Sequence, residues 1–180
     1  MSTDISQLNL QEPDQIDWAG YQLQSTGGGK AIPPAGTYQG AAPSTFDYQD
    51  KDGKLVVLMD PITILGPTNA GYALRFTRVS TKKYSNRNAS PAGDYLKAQG
   101  VPSQPRTNQD YVDAVESTAG RPFQFDLDWE AWDKETQETL AKGMDAFPDN
   151  ATGGKQPFIV TADGRKVWAN ARIKRFRPAV

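Results

Sequence analysis

The chain has 180 residues, 20 Lys and Arg against 21 Asp and Glu, and 37% hydrophobic residues beside 16 Gly and 13 Pro, which describes one well-buried core built from short strands and turns. It contains no cysteine and no histidine, so disulfide frameworks, thiolate metal sites, histidine bases and serine or cysteine triads fall away. The longest apolar run, L-V-V-L-M at residues 55–59, is far short of a membrane span, and the start M-S-T-D-I-S-Q lacks a basic flank and an apolar stretch, which points to the cytoplasm and to no membrane partner.

Residues 1–30 read as a flexible N-terminal arm. They are polar, and the G-G-G-K run from Gly27 lacks the glycine spacing and following Ser or Thr of a phosphate-binding loop. From Ile32 the texture changes. P-P-A-G-T-Y-Q-G opens a first strand region reaching about Tyr48, and Asp52-Gly53 predicts a hairpin turn. Asp50, Asp52 and Gly53 also look like a fragment of a calcium loop, but the remaining ligand positions and the closing glutamate are missing.

Residues 54–65 read as strand interrupted at Pro61, a bulge or bend at which one strand serves two parts of a barrel. After the G-P-T-N-A-G turn, residues 72–79 alternate again, with Leu74 and Phe76 expected inward and Arg75 outward. Two short helices follow. Pro91 and Gly100 bracket the first, and Thr107 with Asp110 starts the second, which Gly120 stops. Tyr95, Leu96, Tyr111, Ala114 and Val115 are expected to pack together.

Residues 121–127 return to strand texture. Trp129, Trp132, Thr136, Leu140 and Met144 then fall loosely on one side of a helix, so the acidic stretch at about 128–150 reads as a helical insertion. A second hairpin follows, turning at Asp163-Gly164 and ending in V-W-A-N-A-R-I-K-R-F at 167–176. On a pleated strand Val167, Ala169, Ala171 and Ile173 form a core face, while Trp168, Asn170, Arg172, Lys174 and Phe176 form the other. The fold class is thus mainly β with short helices (α+β). Five or six strands predict a single OB-like, partly open barrel over residues 31–180, with a β-sandwich as the alternative.

Net charge of −1 conceals a segregated distribution. Residues 71–106 hold seven cations against one acid, and residues 107–150 hold three against eleven. Two basic clusters, one at residues 75–87 and one at the C-terminal strand, point to a polyanion. The candidate nucleic-acid-binding residues are Arg75, Arg78, Lys82, Lys83, Tyr84, Arg87, Trp168, Arg172, Lys174 and Phe176. The cations would track phosphates while Tyr84, Trp168 and Phe176 stack bases. The plainer alternatives are that the C-terminal cations keep an exposed edge strand soluble and that residues 75–87 are a solvated loop with no partner. Asp126, Asp128 and Glu130 would share one face of a strand and could hold magnesium for a nuclease. They have no neighbouring base and no diagnostic spacing, so they read as an acidic rim, and no metal, cofactor or catalytic residue is expected.

In order and texture the chain resembles phage-encoded single-stranded-DNA-binding proteins of OB-like fold. The resemblance lies in P-A-G-T-Y at 34–38, I-L-G-P-T-N-A-G-Y-A-L-R-F at 64–76, A-G-D-Y-L-K-A-Q-G at 92–100, G-R-P-F-Q-F at 120–125 and N-A-R-I-K-R-F at 170–176. It covers roughly residues 32–126 and 157–178. It implies a non-catalytic single-stranded DNA-binding protein that supports phage DNA replication or recombination in the host cytoplasm, with nothing to separate DNA from RNA. The chain departs from bacterial single-strand-binding proteins by ending in R-P-A-V instead of an acidic tip. Recruitment of replication or recombination proteins would then fall to the acidic insertion. The rival reading is a virion structural or decoration protein, with the N-terminal arm and acidic segment as assembly elements. The sequence sets no oligomeric state.

Overall fold

The computed structural model describes residues 33–66, 68–147 and 156–180. The expected N-terminal arm lies outside them, as does most of the P-D-N-A-T-G-G loop. Among the described residues there are ten strands and two short α-helices, and every strand pairing is antiparallel. The protein is mainly β, with sheets that stay open instead of closing on themselves. None of these helices is long and apolar enough to cross a membrane.

Pro61 divides the architecture. β3 (Lys54–Met59) and β4 (Ile62–Gly66) form one apolar stretch, but proline has no N–H to continue a ladder, so the chain changes partners there. β3 sits between β2 (Asp47–Lys51) and β6 (Thr77–Ser80) in a three-stranded sheet. β4 joins the larger sheet, between β5 (Ala73–Leu74) and β1 (Gly36–Ala41). The expected bend serving two parts of the structure is therefore present.

The centre of the larger sheet is β7 (Pro122–Asp133). It pairs on one side with β1 and then β8 (Glu138–Lys142), and on the other with β10 (Lys166–Arg177), which carries the short edge strand β9 (Phe158–Val160). Phe123, Phe125, Leu127, Trp129 and Ala131 point inward from β7 and are buried. They meet Val57 and Met59 of β3 and Ile62 and Ile64 of β4 in one hydrophobic core.

Helix α1 (Pro91–Ala98) starts at Ser90, whose hydroxyl accepts from the Gly93 N–H, with Pro91 in the first turn where its missing donor costs nothing. α2 (Asn108–Glu116) carries the expected capping box between Thr107 and Asp110. α1 delivers Tyr95 to the core. The tyrosine hydroxyl shares a 2.7 Å hydrogen bond with Thr118, and its ring meets Phe123 and Phe176 edge-on at 5.6 and 5.4 Å.

Three expectations are corrected. Residues 129–142 form a hairpin and not a helix, with β7 running through Asp133 and turning into β8; only a 3-10 turn at Met144–Ala146 follows. The strict two-residue alternation of buried side chains from Phe123 to Ala131 outweighs the looser helical spacing. Phe76 is 66% exposed instead of inward. Its φ of 60° breaks residues 72–79 into β5 and β6 and resets the pleat, so Val79 is buried and Arg78 exposed. Leu74 inward and Arg75 outward are as expected. The third correction is at Phe176. Ile173 lies opposite Leu127 and Arg175 opposite Asp126, so Lys174 is an extra residue in a bulge. Beyond it the alternation is reversed, and Phe176 turns to the core.

Gly40 is where β1 passes closest to this core. A Cβ there would lie 2.5 Å from Cε1 of Phe125 and 3.2 Å from both Ile62 Cγ2 and the Thr63 carbonyl oxygen. Gly40→Ala is expected to lower stability by about 1–3 kcal/mol through overpacking. Urea denaturation reads this as a lower midpoint at unchanged slope, and an unshifted midpoint would show that Phe125 has room to move.

Candidate nucleic-acid interface

Strand β10 presents different chemistry along its length. Val167, Ala169 and Ala171 are buried, and Trp168 faces out, 47% exposed, with its ring 5.1 Å from that of Phe158. Lys166 Nζ lies 4.7 Å over the Phe158 ring. Trp132, 38% exposed, follows the Ala131 that pairs with Ala169, so it lies beside Trp168 on β7.

Further along, cations of β10 meet acids of β7. Arg172 is 4.0 Å from Glu130, Lys174 is 3.8 Å from Asp128, and Arg177 donates to both oxygens of Asp126 at 2.9 and 2.8 Å. Thr37 also donates to Asp126, at 2.8 Å. The alternating acids do share one face, and each faces a cation across the ladder. At the hairpin end Arg165 is held by Asp133, Glu135 and Asp163 at 3.0, 3.2 and 2.7 Å.

The two basic clusters converge at the other end of β10. A groove of about 670 Å³ runs between β6, the loop at residues 81–90, α1 and the bulged end of β10. Arg78, Tyr84, Arg87, Lys97, Lys174 and Arg175 line it, and Phe176 packs beneath it against Tyr95. From Asn170 onward the edge of β10 away from β7 has no strand partner among the described residues, because β9 reaches only as far as Trp168. Arg78, Lys97 and Arg175 have no carboxylate within 4 Å among the described residues, and Lys174 is 71% exposed beside its long contact.

Of the candidate residues, the fold thus gathers Arg78, Tyr84, Arg87, Lys174 and Phe176. Lys83 lines an adjoining cavity. Arg75 turns to Asp60 at 3.3 Å, and Lys82 is exposed outside the groove. Arg172 is paired on the sheet face, and Trp168 is six residues from Lys174, about 20 Å along the strand. Phe176 is partly buried against Tyr95 and Phe123 and also lines the groove. Sequence reasoning missed Lys97 and Arg175. Lys97 had a signal, since Tyr95, Leu96 and Ala98 take the buried side of α1 and leave it outward; Arg175 had none, because strict alternation assigns it to the core face.

The ion pairs set the acid limit of the fold. Arg177 holds the Asp126 carboxyl below its ordinary range, Arg165 does the same to Asp133, and the Thr161 hydroxyl and then Arg165 bring Asp163 down to about 2. Depressed carboxyls stabilise the folded state above the unfolded Asp value of about 3.9 and lose that contribution as pH falls through the folded values. With no histidine in the chain, the melting temperature is expected to be flat from about pH 5 to 8 and to drop between about pH 4 and 2. Asp163→Asn should make that acid limb shallower, and an equally steep limb in the variant would remove Asp163 from the account. Set against protein-family models, curated proteins and solved structures, the chain matches none of them, so the groove is read from its own geometry and charge.

Proposed function

We propose that the chain is a non-catalytic, OB-like single-stranded nucleic-acid-binding protein of the phage-encoded kind its sequence resembles, acting in DNA replication or recombination in the host cytoplasm. The observation that carries this reading is the meeting of Arg78, Lys97, Lys174 and Arg175, from β6, α1 and β10, in one groove with little acid of its own. Arg78, Lys97 and Arg175 have no carboxylate within 4 Å among the described residues and Lys174 has only a 3.8 Å contact with Asp128, which favours an external polyanion over internal pairing. Asp94 is the acid in the groove, and Arg87 already occupies it.

A groove bounded by a helix on one wall and strand edges on the other suits a flexible strand, whereas a rigid duplex would reach only its rim. Phosphates would lie along the free edge of β10 and bases would turn toward the 81–90 loop, with little sequence preference. The exposed carboxylates of the β7–β8 turn, Glu138 and the outer side of Glu135, would be the surface for basic replication or recombination partners, Asp133 being buried against Arg165.

One observation favours the rival assembly role. Trp168, Trp132 and Val160 are exposed at the β9 end of the sheet, away from the groove, as a contact patch in a virion lattice would be.

Anisotropy titrations with labelled oligo-dT, oligo-rU and duplex DNA at several salt concentrations separate the two. Four phosphate contacts predict a log–log salt slope of about −3 on oligo-dT and weaker binding to duplex. Arg78→Ala and Arg175→Ala should each reduce the slope by about 0.7, while Trp168→Ala leaves affinity for a short oligonucleotide unchanged. Weak association without preference for single strands, insensitive to the groove variants, would favour the assembly role.

A further inference from the structure

Resting on the reading above, we infer that the guanidinium plane of Arg87 is a base-stacking platform serving a second nucleotide subsite, the cavity of about 440 Å³ between the 81–90 loop, α1 and α2. This cavity shares Arg87, Asp94 and Lys97 with the main groove, so the two adjoin at the Arg87–Asp94 pair.

Arg87 is held unusually well for a loop arginine. Both its terminal nitrogens donate to Asp94, Nη1 to Oδ1 at 3.5 Å and Nη2 to Oδ2 in a closer contact. The Tyr84 hydroxyl donates to the same Oδ2 at 3.2 Å, and the Arg87 Cζ lies over the Tyr84 ring, 4.2 Å from its centroid. Three side chains therefore fix one another, and the guanidinium is held over the Tyr84 ring while 52% of the Arg87 side chain stays exposed. A planar group already immobilised loses little further freedom when a base stacks on it.

The same contacts argue against a simple phosphate role. Asp94 already compensates the charge of Arg87, so a phosphate oxygen would have to displace a two-point carboxylate contact. They also change the role of Tyr84, because the ring face beneath Arg87 is closed to a base. The second cavity is lined by Arg87, Asp94 and Lys97 but not by Tyr84, so a base held there would meet the arginine and not the tyrosine ring. A base entering there meets a delocalised cationic plane, a surface that single-strand binders use for bases. Lys83 and Lys97, exposed and without a carboxylate within 4 Å among the described residues, provide for the flanking phosphates, and Tyr111 of α2 forms part of the wall.

The experiment compares the full chain with Arg87→Lys and Asp94→Asn, using oligo-dT and an abasic sugar–phosphate oligomer of equal length. Arg87→Lys keeps the charge and removes the plane. It should weaken oligo-dT binding about tenfold at an unchanged salt slope, with abasic binding and melting temperature as in the wild type. Asp94→Asn leaves the plane but frees its charge, and should steepen the salt slope on both oligomers. Wild-type affinity for oligo-dT in Arg87→Lys, or equal losses on both oligomers, would overturn the platform while leaving the groove in place. A wild-type chain that binds neither oligomer would overturn the nucleic-acid reading itself, and the subsite with it.

Discussion

The bulge at Lys174 is the constraint on which the groove end of the molecule depends. Before it, β10 is an ordinary partner of β7, with small apolar residues inward and cations outward against Asp128 and Glu130. One extra residue reverses that order. Phe176 swings under α1, where Tyr95 and Phe123 hold it, and this packing seats the helix over the end of the strand. The helix wall, and therefore the groove, exists because an aromatic residue that simple alternation would send to solvent is needed inside. Bulges re-aim side chains in this way at the rims of sheets.

The same pairing decides where positive charge stays available. In the sequence the basic and acidic stretches look like two separate surfaces, but the long antiparallel contact of β7 with β10 lays much of the acid directly against C-terminal cations. Asp126, Asp128 and Glu130 each answer a cation of β10, and Arg165 at the hairpin end is held by three carboxylates. Exposed pairs of this sort add little stability each. Their larger effect is on the field, since they cancel charge over the sheet face and leave it concentrated at the groove, where Arg78 and Lys97 have no carboxylate within 4 Å among the described residues and Arg175 lies opposite an Asp126 that Arg177 already holds.

Much of the fold could be read from residues whose chemistry leaves little choice. Pro61 ends a ladder, Asp52-Gly53 and Asp163-Gly164 turn hairpins, and Ser90 with Pro91 and Thr107 with Asp110 begin helices, and each does so where expected. What could not be read are the places where packing overrode local pattern. The β7–β8 hairpin has enough apolar residues at helical spacing to suggest a helix, and only the depth of burial from Phe123 to Ala131 shows which period governs. Phe76 and Lys174 each reset an alternation, one by a positive φ and one by an extra residue. For the site, this means that residues on loops and helix faces, Arg78, Tyr84, Arg87 and Lys97, are insensitive to strand phase, whereas assignments along β10 after Ile173 depend on it wholly. Trp168 precedes the bulge, and its outward direction was legible; its distance from the groove was not.

The plain and the functional accounts of the C-terminal cations are less opposed than they look from sequence. Beyond Ala169 the edge of β10 has no strand beside it among the described residues, and an unpaired edge invites pairing with another chain unless charge or a covering element prevents it. α1 covers one flank and Lys174 and Arg175 charge the other, which is sufficient protection. But protection alone asks only for charge somewhere along the edge, and the cations of β10 meet that need whether paired or free. It does not ask for Arg78 and Lys97 to converge on the same groove from other elements, or for Tyr84 and Asp94 to hold Arg87 where two cavities meet. Those features have no work to do at a merely guarded edge. Under the proposed reading they become intelligible, with the phosphates of a flexible polyanion meeting the groove's cations and its bases meeting the Arg87 guanidinium.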